Sequence, residues 1–205
     1  MWHAAFHDGE PEPEFPRRLN PPENELPVPL PQNRVLVRTD DVAVAISGLQ
    51  AYTTGVSFQV AARARPGVTL PGLDRGLGDV FWEHRPGSPR FLFGVEFTDG
   101  RRASSQPVPG ASGDIVFHQG GGGGGETSVD QSWWLSPLPP DGPLRVVARC
   151  PEIGLAETVV EFDGAVLRQA GEGATVLWPW EPPRDRGPEP PPPPADLPAD
   201  SWFAR

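Results

Sequence analysis

Lysine is absent from this chain of 205 residues, and all 17 of its cationic side chains are arginine. No Schiff-base lysine, pyridoxal phosphate attachment or phosphate-gripping lysine of a GxxxxGK[ST] loop is therefore available. Cysteine occurs once, as Cys150, which rules out a disulfide within the chain and any metal site built from several thiolates. Long apolar runs are missing, all falling well short of the ~18 residues that mark a membrane-spanning helix. The opening MWHAAFHDGEPEPEF has neither the cationic nor the apolar region of a secretory signal. A cytoplasmic location is expected from these features. A basic stripe is lacking as well: the net charge is −10, which disfavours nucleic acid and anionic membrane surfaces as partners.

Proline, by contrast, is plentiful and unevenly placed. Of 29 prolines, 8 fall in residues 1–31 and 10 in residues 179–205, leaving 11 for the 147 residues between. Proline fixes φ and removes a backbone donor, so dense proline is incompatible with helix interiors and central strands. The expected organisation is a disordered, acidic, proline-rich segment over 1–25, one folded domain over 26–180, and a proline-rich linker over 181–205.

Within the domain the side chains alternate. In DVAVAISGLQAY (41–52), Val42, Val44 and Ile46 share a face, and beyond Gly48 the apolar set switches parity to Leu49 and Ala51. A glycine at such a switch predicts a bulge. Residues 54–65 place Val56, Phe58, Val60, Ala62 and Ala64 inward, and 90–97 do the same with Phe91, Phe93, Val95 and Phe97. Asp99-Gly100 predicts a two-residue hairpin turn leading to a polar edge strand over 101–106. Residues 66–89 read as a long loop containing at most one helical turn. Further strands are predicted over 114–119, 127–135, 144–150 and 156–163, followed by a short helix over 164–174 capped by Asp163 and a closing strand or strap over 175–180. The predicted fold class is all-β: an antiparallel sandwich, immunoglobulin-like or jelly-roll-like, with one short C-terminal helix.

Six glycines, Gly120–Gly125, separate two of these strands. They read as a flexible hairpin tip, with the alternative that part of the run continues the strand beneath a tryptophan ring. A phosphate cradle is disfavoured because no helix follows. The stretch WWLSPLPPDGPLRVVARCPEIGLAETVVEFDGAVLRQA (133–170) resembles a pattern in uncharacterised proteins predicted from high-GC bacterial genomes: a glycine run, a tryptophan-rich strand, a PLPPxGPL turn and a strand ending in Cys or Glu near a proline. The resemblance spans about residues 115–180 and implies a β-rich fold. It brings no activity and no site residues.

No local pattern announces catalysis, a metal or a cofactor, and none of the three is expected. His3 and His7 have helical spacing but lack the glutamate of a HEXXH motif. His84 and His118 read as surface imidazoles. Cys150 shares parity with Leu144, Val146 and Ala148 and reads as a small core residue. The pairs Asp40/Asp41 and Glu161/Asp163 read as solvated. Trp133 is assigned to the core, whereas Trp134 points the other way; it is either an exposed platform for a sugar ring or a side chain covered by the Trp178–Trp180 strap or the tail. The tail PEPPPPPADLPADSWFAR (188–205) sets Leu197, Trp202 and Phe203 beyond five consecutive prolines, an arrangement suited to docking on another protein. The sequence thus favours a non-catalytic protein-binding or scaffold domain. Its alternatives are a carbohydrate or small-ligand module using Trp134, and a hydrolase with an unrecognised constellation. Self-pairing through the 101–106 edge is a further expectation.

Overall fold

The computed structural model describes residues 15–82, 91–106 and 109–182. Two antiparallel sheets face each other. The larger contains β2 (Val28–Leu30), β3 (Arg34–Arg38), β4 (Val42–Tyr52), β5 (Gly55–Ala64), β8 (Val116–Gly124) and β9 (Ser128–Ser136). The smaller contains β6 (Leu92–Glu96), β7 (Arg102–Ser104), β10 (Pro143–Cys150) and β11 (Leu155–Asp163). Their orders are β2-β4-β5-β9-β8, with β3 also on β4, and β11-β10-β6-β7. A two-stranded ribbon pairs β1 (Glu25–Leu26) with β12 (Thr175–Val176). The helices are α1 (Phe15–Arg18), α2 (Leu77–Trp82) and α3 (Gly164–Glu172), so the single expected helix has two shorter companions. The sheets stack as a sandwich and do not close into a barrel.

The alternation read from the sequence builds the interior. Val42, Val44, Ile46, Val60 and Ala62 from the larger sheet face Phe93, Val95, Val146 and Ala148 from the smaller, all buried. An aromatic chain runs through this layer: Phe93 meets Trp133 edge-on at 4.9 Å, Trp133 stacks on Phe117 at 5.0 Å, and Phe91 and Phe81 continue the row. Such pairs add to the burial of large apolar area. At Gly48, φ is +61° and the β4–β5 register shifts between Ser47 and Gln50, moving burial to Leu49 and Ala51. The bulge lies where the parity switch places it.

Three local expectations need correction. Asp99-Gly100 is not a two-residue turn: Gly100 N donates to Phe97 O at 3.0 Å, Phe97 N donates to Arg101 O at 2.8 Å, and among residues 98–100 only Gly100 has positive φ. The loop therefore has three residues, a tight turn followed by a left-handed glycine. The edge over 101–106 is partly covered, at Arg102, where Ser112 N donates to Arg102 O at 2.8 Å and Arg102 N donates to Ser112 Oγ at 3.2 Å.

The third correction concerns the glycines. Gly120–Gly124 belong to β8 and pair with β9 as far as Gly124↔Val129, with an irregularity between Gln119 and Gly122. Ser132 spans it: its Oγ accepts from Gly121 N at 2.7 Å and donates to Gly121 O at 3.1 Å. The run is thus strand, as in the alternative reading, but the covering ring is Trp82 of α2. A Cβ on Gly122 would collide with Asp130 O and come within 2.8 Å of that ring. The chain reverses only at 125–127, where Gly125 N donates to Ser128 O at 2.7 Å.

Candidate functional site

The outward face of the larger sheet carries the side chains that the interior does not use. Cross-strand register aligns His118, Trp134 and Ser57 in one row, and Val116 and Ser136 in the next. Trp134 does point away from the sandwich, yet it is only 1% exposed. Tyr52 meets its ring edge-on at 5.6 Å. Gly55 lies beneath the ring, too close for any Cβ. Its Nε1 donates to Arg18 O at 2.8 Å. The ring cannot stack on a sugar, so the carbohydrate reading built on Trp134 is corrected. The cover, moreover, is the N-terminal segment and not the Trp178–Trp180 strap.

That segment belongs to the folded body from α1 onward, which moves the expected boundary at residue 25. It is held by polar contacts. Glu25, its side chain fully buried, accepts from Thr53 N at 2.9 Å, Thr53 Oγ1 at 2.5 Å and Arg17 Nη2 at 3.3 Å. Arg18 donates to Ser136 Oγ at 3.4 Å and to Asp114 O at 2.5 Å. His118 Nε2 lies 2.7 Å from Leu19 O and its Nδ1 3.1 Å from Gln119 O, so this imidazole is a bracket for the segment and not a free surface group.

Beside this cover, at the end of the sandwich, lies a cavity of about 430 Å³. Arg17 and Arg18 come from the N-terminal segment, Arg101 from the β6–β7 loop and Arg168 from α3. Thr53 and Thr54 of the β4–β5 turn also line it, with Pro137, Leu138 and Pro140 as an apolar wall; no carboxylate is in the lining. Arg101 is pinned by Asp99 at 2.8 Å and Asp114 at 2.5 Å. Its hydrogen bonds to Asp99 hold that carboxyl below its ordinary value. Arg168 donates to Pro139 O at 3.2 Å and approaches Asp141 at 3.5 Å. No local spacing in the sequence joins positions 17, 18, 101 and 168; only the fold does.

A second surface surrounds the β1–β12 ribbon. Leu26, Val176, Leu177 and Trp178 are all exposed there, Trp178 by 58%. The strap is tied down through its backbone: Asn24 Nδ2 donates to Trp178 O at 2.7 Å and Leu177 N to Asn24 O at 2.8 Å.

The remaining candidates are spread apart. Cys150 is buried, and desolvation together with its hydrogen bond to Glu152 pushes the thiol up to about 12, so it stays protonated and poorly nucleophilic. Asp163 caps α3, accepting from Ala165 N at 2.9 Å. Glu161 approaches Arg145 at 3.6 Å, and Asp40 and Asp41 are exposed in the β3–β4 turn. Among the described residues no group of three or more His, Cys, Asp or Glu side chains is arranged to hold a metal ion, and no helix is long and apolar enough to cross a membrane. His3, His7, His84, Leu197, Trp202 and Phe203 lie outside the described residues. Compared with known proteins, the chain matches no family model, no curated protein and no solved structure.

Proposed function

We propose that this protein is a non-catalytic binding or scaffold domain that engages another protein through its C-terminal region. The observation that carries the reading is the exposure of Leu26, Val176, Leu177 and Trp178 around the β1–β12 ribbon. Several large apolar side chains left in water around one short ribbon suit an interaction surface. In the sequence this region continues toward Leu197, Trp202 and Phe203, so the docking element would comprise the exposed residues of the ribbon and strap, then a proline spacer, then apolar anchors. Tryptophan at such a position is a frequent energetic centre of an interface.

The test is capture by the full-length chain from a lysate, with Trp178→Ser and Trp202→Ala/Phe203→Ala variants alongside. The same protein is expected with the wild type and is expected to be lost, or reduced at least tenfold, in both variants. Capture indifferent to both variants would sink the reading. So would hydrogen-exchange protection of residues 196–205 in the isolated protein, which would place the tail on its own body.

A further inference from the structure

Every charged group on the walls of the arginine-lined cavity is a cation, while the carboxylates that pair with Arg17, Arg101 and Arg168 lie outside its lining. The chain carries a net charge of −10, yet four guanidiniums and no carboxylate line this one concavity. Like charges held together repel, and a cleft that gathers them in a low-dielectric setting concentrates its field on an incoming anion.

The partners within the protein do not use up this donor capacity. Among the described residues no carboxylate lies within ion-pair distance of Arg18, whose bonds go to a hydroxyl and a backbone carbonyl. Arg17 reaches Glu25 and Thr53 Oγ1 only at 3.3 Å each.

We propose that this cavity binds a small organic phosphate. Guanidiniums arriving from an N-terminal segment, a hairpin loop and a helix approach from different directions. That suits a tetrahedral dianion with oxygens on several sides, and arginine's fork of donors matches phosphate oxygens in pairs. The volume of about 430 Å³ lies within the range of small-molecule sites and exceeds what a bare inorganic ion needs. Pro137, Leu138 and Pro140 give the carbon skeleton an apolar wall. Arg17 is shared with the concavity beside Trp178 and Trp180, but Arg18, Arg101 and Arg168 are not, and the site stands whether or not the strap docks a protein.

Calorimetric titration of the full-length protein with phenyl phosphate, at constant ionic strength, tests the idea. Inorganic phosphate and citrate serve as comparison probes. Saturable binding is expected, tighter for phenyl phosphate than for the other two. Arg18→Gln and Arg168→Gln are each expected to weaken it roughly tenfold or more, the loss of one charge-assisted hydrogen bond. Arg168 is partly exposed on α3, so its variant retains the fold even if Arg18→Gln loosens the cover, and circular dichroism checks both. Unsaturable binding, no binding, or equal affinity in the wild type and Arg168→Gln would overturn the proposal. So would binding of a long polyanion alone, or a preference for citrate.

Discussion

The two faces of the larger sheet solve the same problem by different means. On the inner face, Trp133 sits among Phe93, Phe117 and Phe58 against the smaller sheet. On the outer face, its neighbour Trp134 is buried just as deeply by a short segment held mostly through hydrogen bonds and the Glu25–Arg17 pair. Apolar layers gain stability from area and tolerate small shifts. A polar cover depends on each partner being in place, because removing one leaves another unsatisfied. The inner face is therefore the stable unit, and the outer cover is the part that opens first.

Breaking the inner face should have the largest effect. Trp133→Ala is expected to destabilise the protein by about 3–5 kcal/mol, read as a lowered denaturation midpoint in which the whole molecule unfolds together. Breaking the cover should cost less and act locally. Glu25→Ala, which strips Thr53 N and Arg17 of their acceptor, is expected to cost about 2 kcal/mol. Its diagnostic is faster hydrogen exchange in residues 16–24 with β4, β5 and β9 still protected. A global loss of protection would show instead that the cover and the sandwich are one cooperative unit.

The glycine strand offers an internal control. Gly122→Ala must displace Trp82 or the β9 backbone and is expected to cost about 1–3 kcal/mol. Gly123→Ala meets nothing within 4 Å and is expected to change stability by less than about 0.5 kcal/mol. Equal effects in a thermal melt would mean that the run is not held as strand.

The smallest effect concerns Cys150. Its folded value of about 12 stands above the ordinary 9.0. The unfolded thiol thus loses its proton first as pH rises, while the folded one keeps it. The thiol's contribution to stability is complete below pH 9.0 and is lost as pH rises toward about 12. At pH 8 a thiol reagent should leave the native protein unlabelled and modify it only after denaturation. Rapid native labelling would refute the burial.

What the sequence reveals follows this same division. The interior, the bulge at Gly48 and the Asp163 cap are visible because each depends on residues within a few positions of one another. The cover of Trp134 is hidden because residues 16–25 have no apolar period and a composition typical of disorder, while their bonds reach Thr53, Asp114 and Ser136. Trp82 over Gly122 is hidden for a related reason: a loop between strands gives no sign of which hairpin it will lie upon. The glycine run itself contains no side chains, so period and propensity are silent there, and strand can be inferred only from a ring and a serine contributed elsewhere. The arginine cavity takes its donors from three distant stretches of chain.

The separation between Arg18 and Trp134, 116 residues, has a consequence for biosynthesis. A ribosome releases residues 16–25 long before the strand they will cover exists. Their bonds to Thr53 need only the β4–β5 turn, but Arg18 gains Trp134 and Ser136 only after Ser136 has cleared the exit tunnel. Residues 16–25 are thus made early relative to their partners yet are fully fixed only late, once β9 and then β12 have formed.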